Sequence, residues 1–172
     1  GLDVLRMVAE RLVAEGKGDA VRFLLAGDGP MLAELRRDGL PPNMELLGKV
    51  DDVALEAAYR HCHALVLPTR FEGMPTVVLE AMAHARRILV SDVGASAELV
   101  DTSNGHLLPP GDAGALYQAV IALMESGTAE RLAMGRASWE RARARFTWEI
   151  CGRQFVAICQ EVAERRSVGT GG

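Results

Sequence analysis

A chain of 172 residues with 49% hydrophobic content is long enough to bury one full core and too short for two typical domains. Its net charge of −4 and 5% aromatic content exclude the basic, stacking surface that nucleic acid requires. Three cysteines, Cys62, Cys151 and Cys159, have no framework spacing, and with no secretory leader or long apolar run in view they indicate a reducing, cytoplasmic setting.

Leu2, Leu5, Val8, Ala9 and Leu12 recur at helical spacing and predict an amphipathic helix over 2–15. After the Gly16–Asp19 turn, the apolar run from Val21 to Ala26 predicts a strand buried on both faces of a parallel sheet. Gly27-Asp28-Gly29-Pro30 ends it, and a helix follows to about Arg37. Further strands are expected at 44–47, 64–67 and 88–90, with helices at 51–59 and from Pro75. Past Gly94 come a brief helix at 96–100 and a strand at 105–108. Three helices are then expected at 113–126, capped by Asp112, at 128–145, and at 148–166, capped by Thr147. Alternating strands and helices mean a parallel sheet, with one domain over 1–166 and a flexible tail at 167–172. In such a sheet ligands gather at the carboxyl ends of the strands, so the Gly27, Lys49-Val50, Arg70-Glu72 and Asp92-Gly94 segments should share one crevice.

The segment from Arg70 to Met82 carries the most chemistry. Glu72 and Glu80 flank a Gly73-Met74-Pro75 turn that opens a helix. Pro75 suits the first helical position, and Gly73 lets backbone approach a ligand closely. The positive end of the helix, with the amides after the turn facing it, suits a diphosphate; the acids then accept hydrogen bonds from neutral hydroxyls. Glu80 lies roughly 7.5 Å along the axis from Pro75, so it reaches a different part of an extended ligand than Glu72 does. Hydroxyl-bearing groups on both sides of a diphosphate describe a nucleotide sugar.

Ordinary readings compete at each position. Glu72 and Glu80 could pair with Arg70 or Arg86, and Arg70 could form a salt bridge instead of meeting phosphate. Gly27-Asp28-Gly29 lacks the third glycine and ribose acid of a dinucleotide fingerprint. His61-Cys62-His63 cannot easily converge on one ion. The arginines at 136, 141, 143 and 145 read as a solvated face, with anionic lipid or a partner domain as the alternative, and Trp139 and Trp148 read as packing anchors.

Taken in series, seven segments carry a resemblance: Ala26–Pro30, Leu47–Val50, Tyr59 through Arg70, the paired Glu72 and Glu80, Ser91–Gly94 with Glu98, Pro109–Asp112, and Phe146-Thr147-Trp148. Over nearly its whole length the chain resembles the C-terminal, donor-binding half of retaining GT-B glycosyltransferases, specifically glycosyltransferase family 4, the glycosyl transferases group 1. The resemblance implies an α/β fold, a Rossmann-like parallel sheet flanked by helices, with extra C-terminal helices. It implies that Glu80 takes the ribose hydroxyls and that Glu72, the catalytic candidate, stands beside the donor sugar. Gly73, Met74, Pro75 and Thr76 then line the sugar and diphosphate, Lys49, Val50 and Asp52 border the base, and Gly27 forms the floor, with Arg70 a further donor contact.

The implied reaction is hexosyl transfer from a UDP-, GDP- or ADP-sugar to an acceptor, with retention and without a metal or other cofactor. On this resemblance Gly1 follows directly on a basic pair that neutralises the diphosphate, and the acceptor-binding N-terminal domain is missing. The isolated domain is therefore expected to bind nucleotide weakly and to be inactive alone, the parent being cytoplasmic with possible peripheral membrane contact. Ala85, Arg87, Ala95 and Ala97 stand where the family has glycine or proline. The alternatives are a noncatalytic nucleotide-binding or interaction module and a GT-B type sugar-nucleotide epimerase.

Overall fold

In the computed structural model, backbone is described for residues 1–169 and side chains to Arg165. The order is α1 (Leu2–Ala14), β1 (Phe23–Ala26), α2 (Met31–Asp38), β2 (Met44–Gly48), α3 (Asp52–His61), β3 (Ala64–Leu67) and α4 (Thr76–Ala83). Then come β4 (Arg87–Ser91), α5 (Ser96–Leu99), β5 (Gly105–Leu108), α6 (Ala113–Glu125), α7 (Thr128–Arg145) and α8 (Trp148–Gly169). A single 3₁₀ turn, Gly18–Ala20, precedes β1, which therefore starts two residues later than its apolar run. Of the predicted tail, 167–169 continue α8, and 170–172 lie outside the described residues.

Every strand pair is parallel, as the strand-helix alternation requires. The ladders form two sheets, β1-β2 and β3-β4-β5, where the sequence suggested one. Side chains join them: Phe23 and Met44 of the first sheet share a core cluster with Leu89 and Leu108 of the second, under Val4, Val8 and Leu12 of α1 and Leu116 and Val120 of α6. On the opposite face, Ile88 and Val90 pack with Val78, Ala81 and Met82 of α4. The period of two in β4 thus serves two layers, and each of its five residues is buried.

Asp51 and Asp112 cap α3 and α6, their carboxylates accepting from Ala54 N and Ala115 N at 2.8 Å. Helix α4 ends differently. Arg86 N donates to Ala81 O and Ala85 N to Met82 O, both at 2.9 Å, which closes the helix with Ala85 in the left-handed region at φ +56°. Of the glycine or proline that the resemblance implied at Ala85, only glycine suits that geometry, because a Cβ is crowded there. Ala85→Gly should raise stability by about 1 kcal/mol, read as a higher urea midpoint at unchanged slope. A lower midpoint would count against strain at this residue.

Arg87, the first residue of β4, has a side chain only 2% exposed; its Nη2 lies 2.8 Å from His106 Nε2 and its Nη1 3.7 Å from Glu130. Burial, and then Arg87 itself, hold His106 below its ordinary pKa. Trp148 departs from the packing-anchor expectation: it is 92% exposed. Among the residues of α8 whose side chains are described, all but Ile150 are exposed.

Candidate donor site

Most of the predicted residues lie on loops that leave the carboxyl ends of the strands, while Asp52, Thr76 and Glu80 lie in the helices that follow. Gly27 N donates to Gly48 O at 2.7 Å, bringing the end of β1 against the end of β2. Lys49 and Val50 follow, and Asp52 opens α3 behind the Asp51 cap. Among the described residues Lys49 has no ion-pair partner.

After β3 the chain passes Pro68 and Thr69 to Arg70. Arg70 is not free for phosphate: Nη1 and Nη2 donate to the two carboxylate oxygens of Asp3 at 2.8 and 2.5 Å. This bidentate pair holds the Asp3 carboxyl well below the usual range, although both side chains are about half exposed. Gly1 lies against the same loop, so close that a Cβ there would fall 1.8 Å from Pro68 O. The start of α1 is therefore part of this face.

The Glu72–Gly73 backbone is clamped from the turn after β4. Ala95 N donates to Gly73 O at 2.8 Å. A Cβ on Gly94, whose φ is +54°, would come within 2.2 Å of Glu72 O and 2.5 Å of Gly73 O. The half-buried Glu72 carboxylate has no hydrogen-bond or ion-pair partner among the described residues.

Pro75 departs from expectation by one position. Its φ of −72° suits a helix but its ψ of 105° does not, so it caps α4 and Thr76 is the first helical residue. No side chain caps this end, and Met74 and Thr76 are exposed beside it. The first turn keeps its N–H groups and its positive dipole end.

One turn along α4, exposed Glu80 receives a hydrogen bond from the Tyr59 hydroxyl at Oε2, 2.9 Å. Tyr59 comes from α3, is 7% exposed, and stacks on His84 with ring centroids 5.1 Å apart. Burial, followed by the Glu80 carboxylate, pushes its phenol pKa far up. Among the described residues neither glutamate pairs with an arginine: Arg86 instead donates to the carbonyls of His84 and Cys62. Glu72 and Glu80 thus stand on either side of an uncapped helix start.

Two hollows of about 240 Å³ lie elsewhere, one between α4 and α7 at Leu79, Trp139 and Phe146, the other beside Val13, Arg22 and Asn43. Neither contains a predicted donor residue. Among the described residues no three His, Cys, Asp or Glu side chains gather as a metal site. His61 bonds Ala57 O and Cys62 bonds Tyr59 O.

The family profile described as glycosyl transferases group 1 matches residues 1–126. The chain belongs to that family. A phosphatidyl-myo-inositol mannosyltransferase of Mycobacterium leprae is 31% identical over 149 residues, 84% of this chain and 39% of the relative. A GDP-mannose-dependent monoacylated alpha-(1-6)-phosphatidylinositol monomannoside mannosyltransferase of Corynebacterium glutamicum is 28% identical over 93% of this chain and 44% of its own length. Among solved structures, the sucrose-phosphate synthase of Thermosynechococcus elongatus superposes with a TM-score of 0.72 at 25% identity, over 93% of this chain and 43% of that one.

This group 1 glycosyltransferase chain therefore spans about four tenths of the length of the relatives it matches. The family match ends one residue beyond α6, and α7 and α8 follow it. Within the matched stretch the sequence pointed to Glu72, Glu80 and the α4 start, and set Asp92–Gly94 beside Arg70–Glu72, where Gly94 does seat the Glu72 loop. It missed two pairings: Asp3 holds Arg70, and Tyr59 holds Glu80.

Proposed function

We propose that this domain binds the nucleotide-sugar donor of a retaining hexosyltransferase, with the start of α4 receiving the diphosphate, Glu80 the ribose hydroxyls and Glu72 the donor sugar. The observation that carries the reading is the uncapped start of α4 between Glu72, which has no partner among the described residues, and Glu80, which is held in place. N–H donors suit phosphate, and two carboxylates suit hydroxyls. Lys49, Val50 and Asp52 border the base and Gly27 the floor.

In the reaction so read, the bond from the anomeric carbon to the diphosphate oxygen breaks and the acceptor oxygen bonds to that carbon on the same face. The acceptor proton passes to the departing diphosphate. The protein's share is to stabilise the charge that develops on the leaving group, which fixed N–H groups do without reorganising. Positioning the sugar through Glu72 supplies the remainder.

The mannosyltransferase relatives make GDP-mannose the first donor to test, with UDP- and ADP-sugars beside it. The parent enzyme is read as cytoplasmic and working at a membrane surface when its acceptor is a lipid, as the relatives' names suggest. The 172-residue chain alone is expected to bind donor weakly and transfer little, the acceptor being held by another part of the parent.

Calorimetric titration tests the site. Glu80→Ala should weaken binding of the nucleoside diphosphate by about 1–3 kcal/mol, and equal affinity for variant and wild type would reject the ribose role. In the parent, proton NMR of the newly formed glycoside should show the donor's anomeric configuration; inversion would refute the retaining reaction.

A further inference from the structure

Glu80 is exposed and carried on a long side chain, yet one of its oxygens is fixed by a residue from another helix. The Tyr59 ring is buried and stacked on His84, so its hydroxyl has little freedom of direction. It has a single proton to give. Glu80 Oε2 lies at 2.9 Å and Val77 O at 3.4 Å, so the carboxylate is the nearer acceptor. His84 adds a second brace: its Nδ1 lies 2.9 Å from the Glu80 carbonyl oxygen, tying the Tyr59 platform to the backbone of the same helix turn.

We propose that Tyr59 is a positioning residue for the nucleotide, fixing the Glu80 carboxylate so that the site prefers a ribose cis-diol over 2′-deoxyribose. The inference rests on the donor-site reading above. A carboxylate has about four acceptor positions, and Tyr59 takes one on Oε2, leaving Oε1 and the outer side of Oε2 open. Two adjacent hydroxyls can donate to these together only if the carboxylate plane is held. A single hydroxyl can follow a mobile carboxylate, so it gains less from being held. Loss of the tyrosine hydroxyl should therefore weaken the diol selectively, whereas a general loosening of the fold would weaken both ligands alike.

The test titrates the chain with GDP, UDP and ADP and with their 2′-deoxy counterparts, comparing wild type, Tyr59→Phe, Glu80→Ala and the double variant. Wild type should favour the ribonucleotide by about tenfold, and Tyr59→Phe should reduce that preference to about threefold or less. Phenylalanine keeps the ring and the His84 stack, and a thermal melt checks the fold. In the Glu80→Ala background, adding Tyr59→Phe should change nothing further, because the hydroxyl acts through that carboxylate. Glu80→Gln supplies an independent variant: it keeps an oxygen for Tyr59 but exchanges one acceptor for a donor, and should also lose the diol preference. An unchanged preference in Tyr59→Phe or Glu80→Gln, or an equal loss from Tyr59→Phe with and without Glu80, overturns the positioning role while leaving the donor site standing. If wild type binds none of the three ribonucleotides, the donor reading falls and the positioning role falls with it.

Discussion

Gly94→Ala is expected to reduce nucleotide-sugar affinity by about tenfold or more, while also lowering stability by about 2–4 kcal/mol. Two causes add. A left-handed φ of +54° disfavours any Cβ, and the added carbon would lie 2.2 Å from Glu72 O and 2.5 Å from Gly73 O. Those contacts are backbone, so no flexible side chain can yield. Something must move, and the Glu72–Gly73 loop, half-buried at Glu72 and exposed at Gly73, is freer to do so than the fully buried β4 from which the Gly94 turn leaves. Displacement would take the Glu72 carboxylate and the approach to α4 out of register with a bound donor. Urea melts and calorimetric titration of the same preparation would separate the two effects. A variant that loses stability but binds donor as wild type does would show that the clamp at Gly94 is not needed for the site.

The second large effect is on the fold alone. Gly105→Ala should destabilise the domain by about 3 kcal/mol or more, because its Cβ would fall 2.0 Å from Ile88 O across the β4–β5 ladder. Gly105 stands opposite Ile88 in register, and Ile88 is wholly buried among Val78, Met82 and Leu99. The strands would have to part at their tightest point. Gly152→Ala, in open space on α8, is the control and should leave the urea midpoint near wild type or higher. A Gly105→Ala midpoint close to that control would show that the ladder opens without cost.

Hydrophobic periodicity made most of the architecture legible. Helix α1, the strands β3 and β4, and the Asp112 cap of α6 lie within a residue or two of their predicted places, although only β4 is buried along its whole length. Pro75 missed by one position because proline fixes φ alone, and it is ψ that separates a capping residue from the first helical one. The division into two sheets was hidden because a short apolar run does not name its ladder partner. The supports of the site were hidden for a similar reason. Tyr59 meets Glu80 across 21 residues and Arg70 meets Asp3 across 67, separations that no local pattern encodes. Ala85 was visible as an oddity only through the family resemblance, and the backbone conformation supplies its physical meaning. Trp148 was expected to be buried because large aromatics usually are, yet nothing in its neighbourhood covers it.

The closeness of Gly1 to Pro68 has a practical side. A purification handle fused ahead of Gly1 would emerge beside the Asp3–Arg70 pair, next to the loops proposed to hold the donor. Its flexible residues would compete there with solvent and ligand, and a weak titration obtained with such a fusion would measure the handle as much as the protein. Attaching it beyond α8 keeps it on a helix that contributes no donor residue.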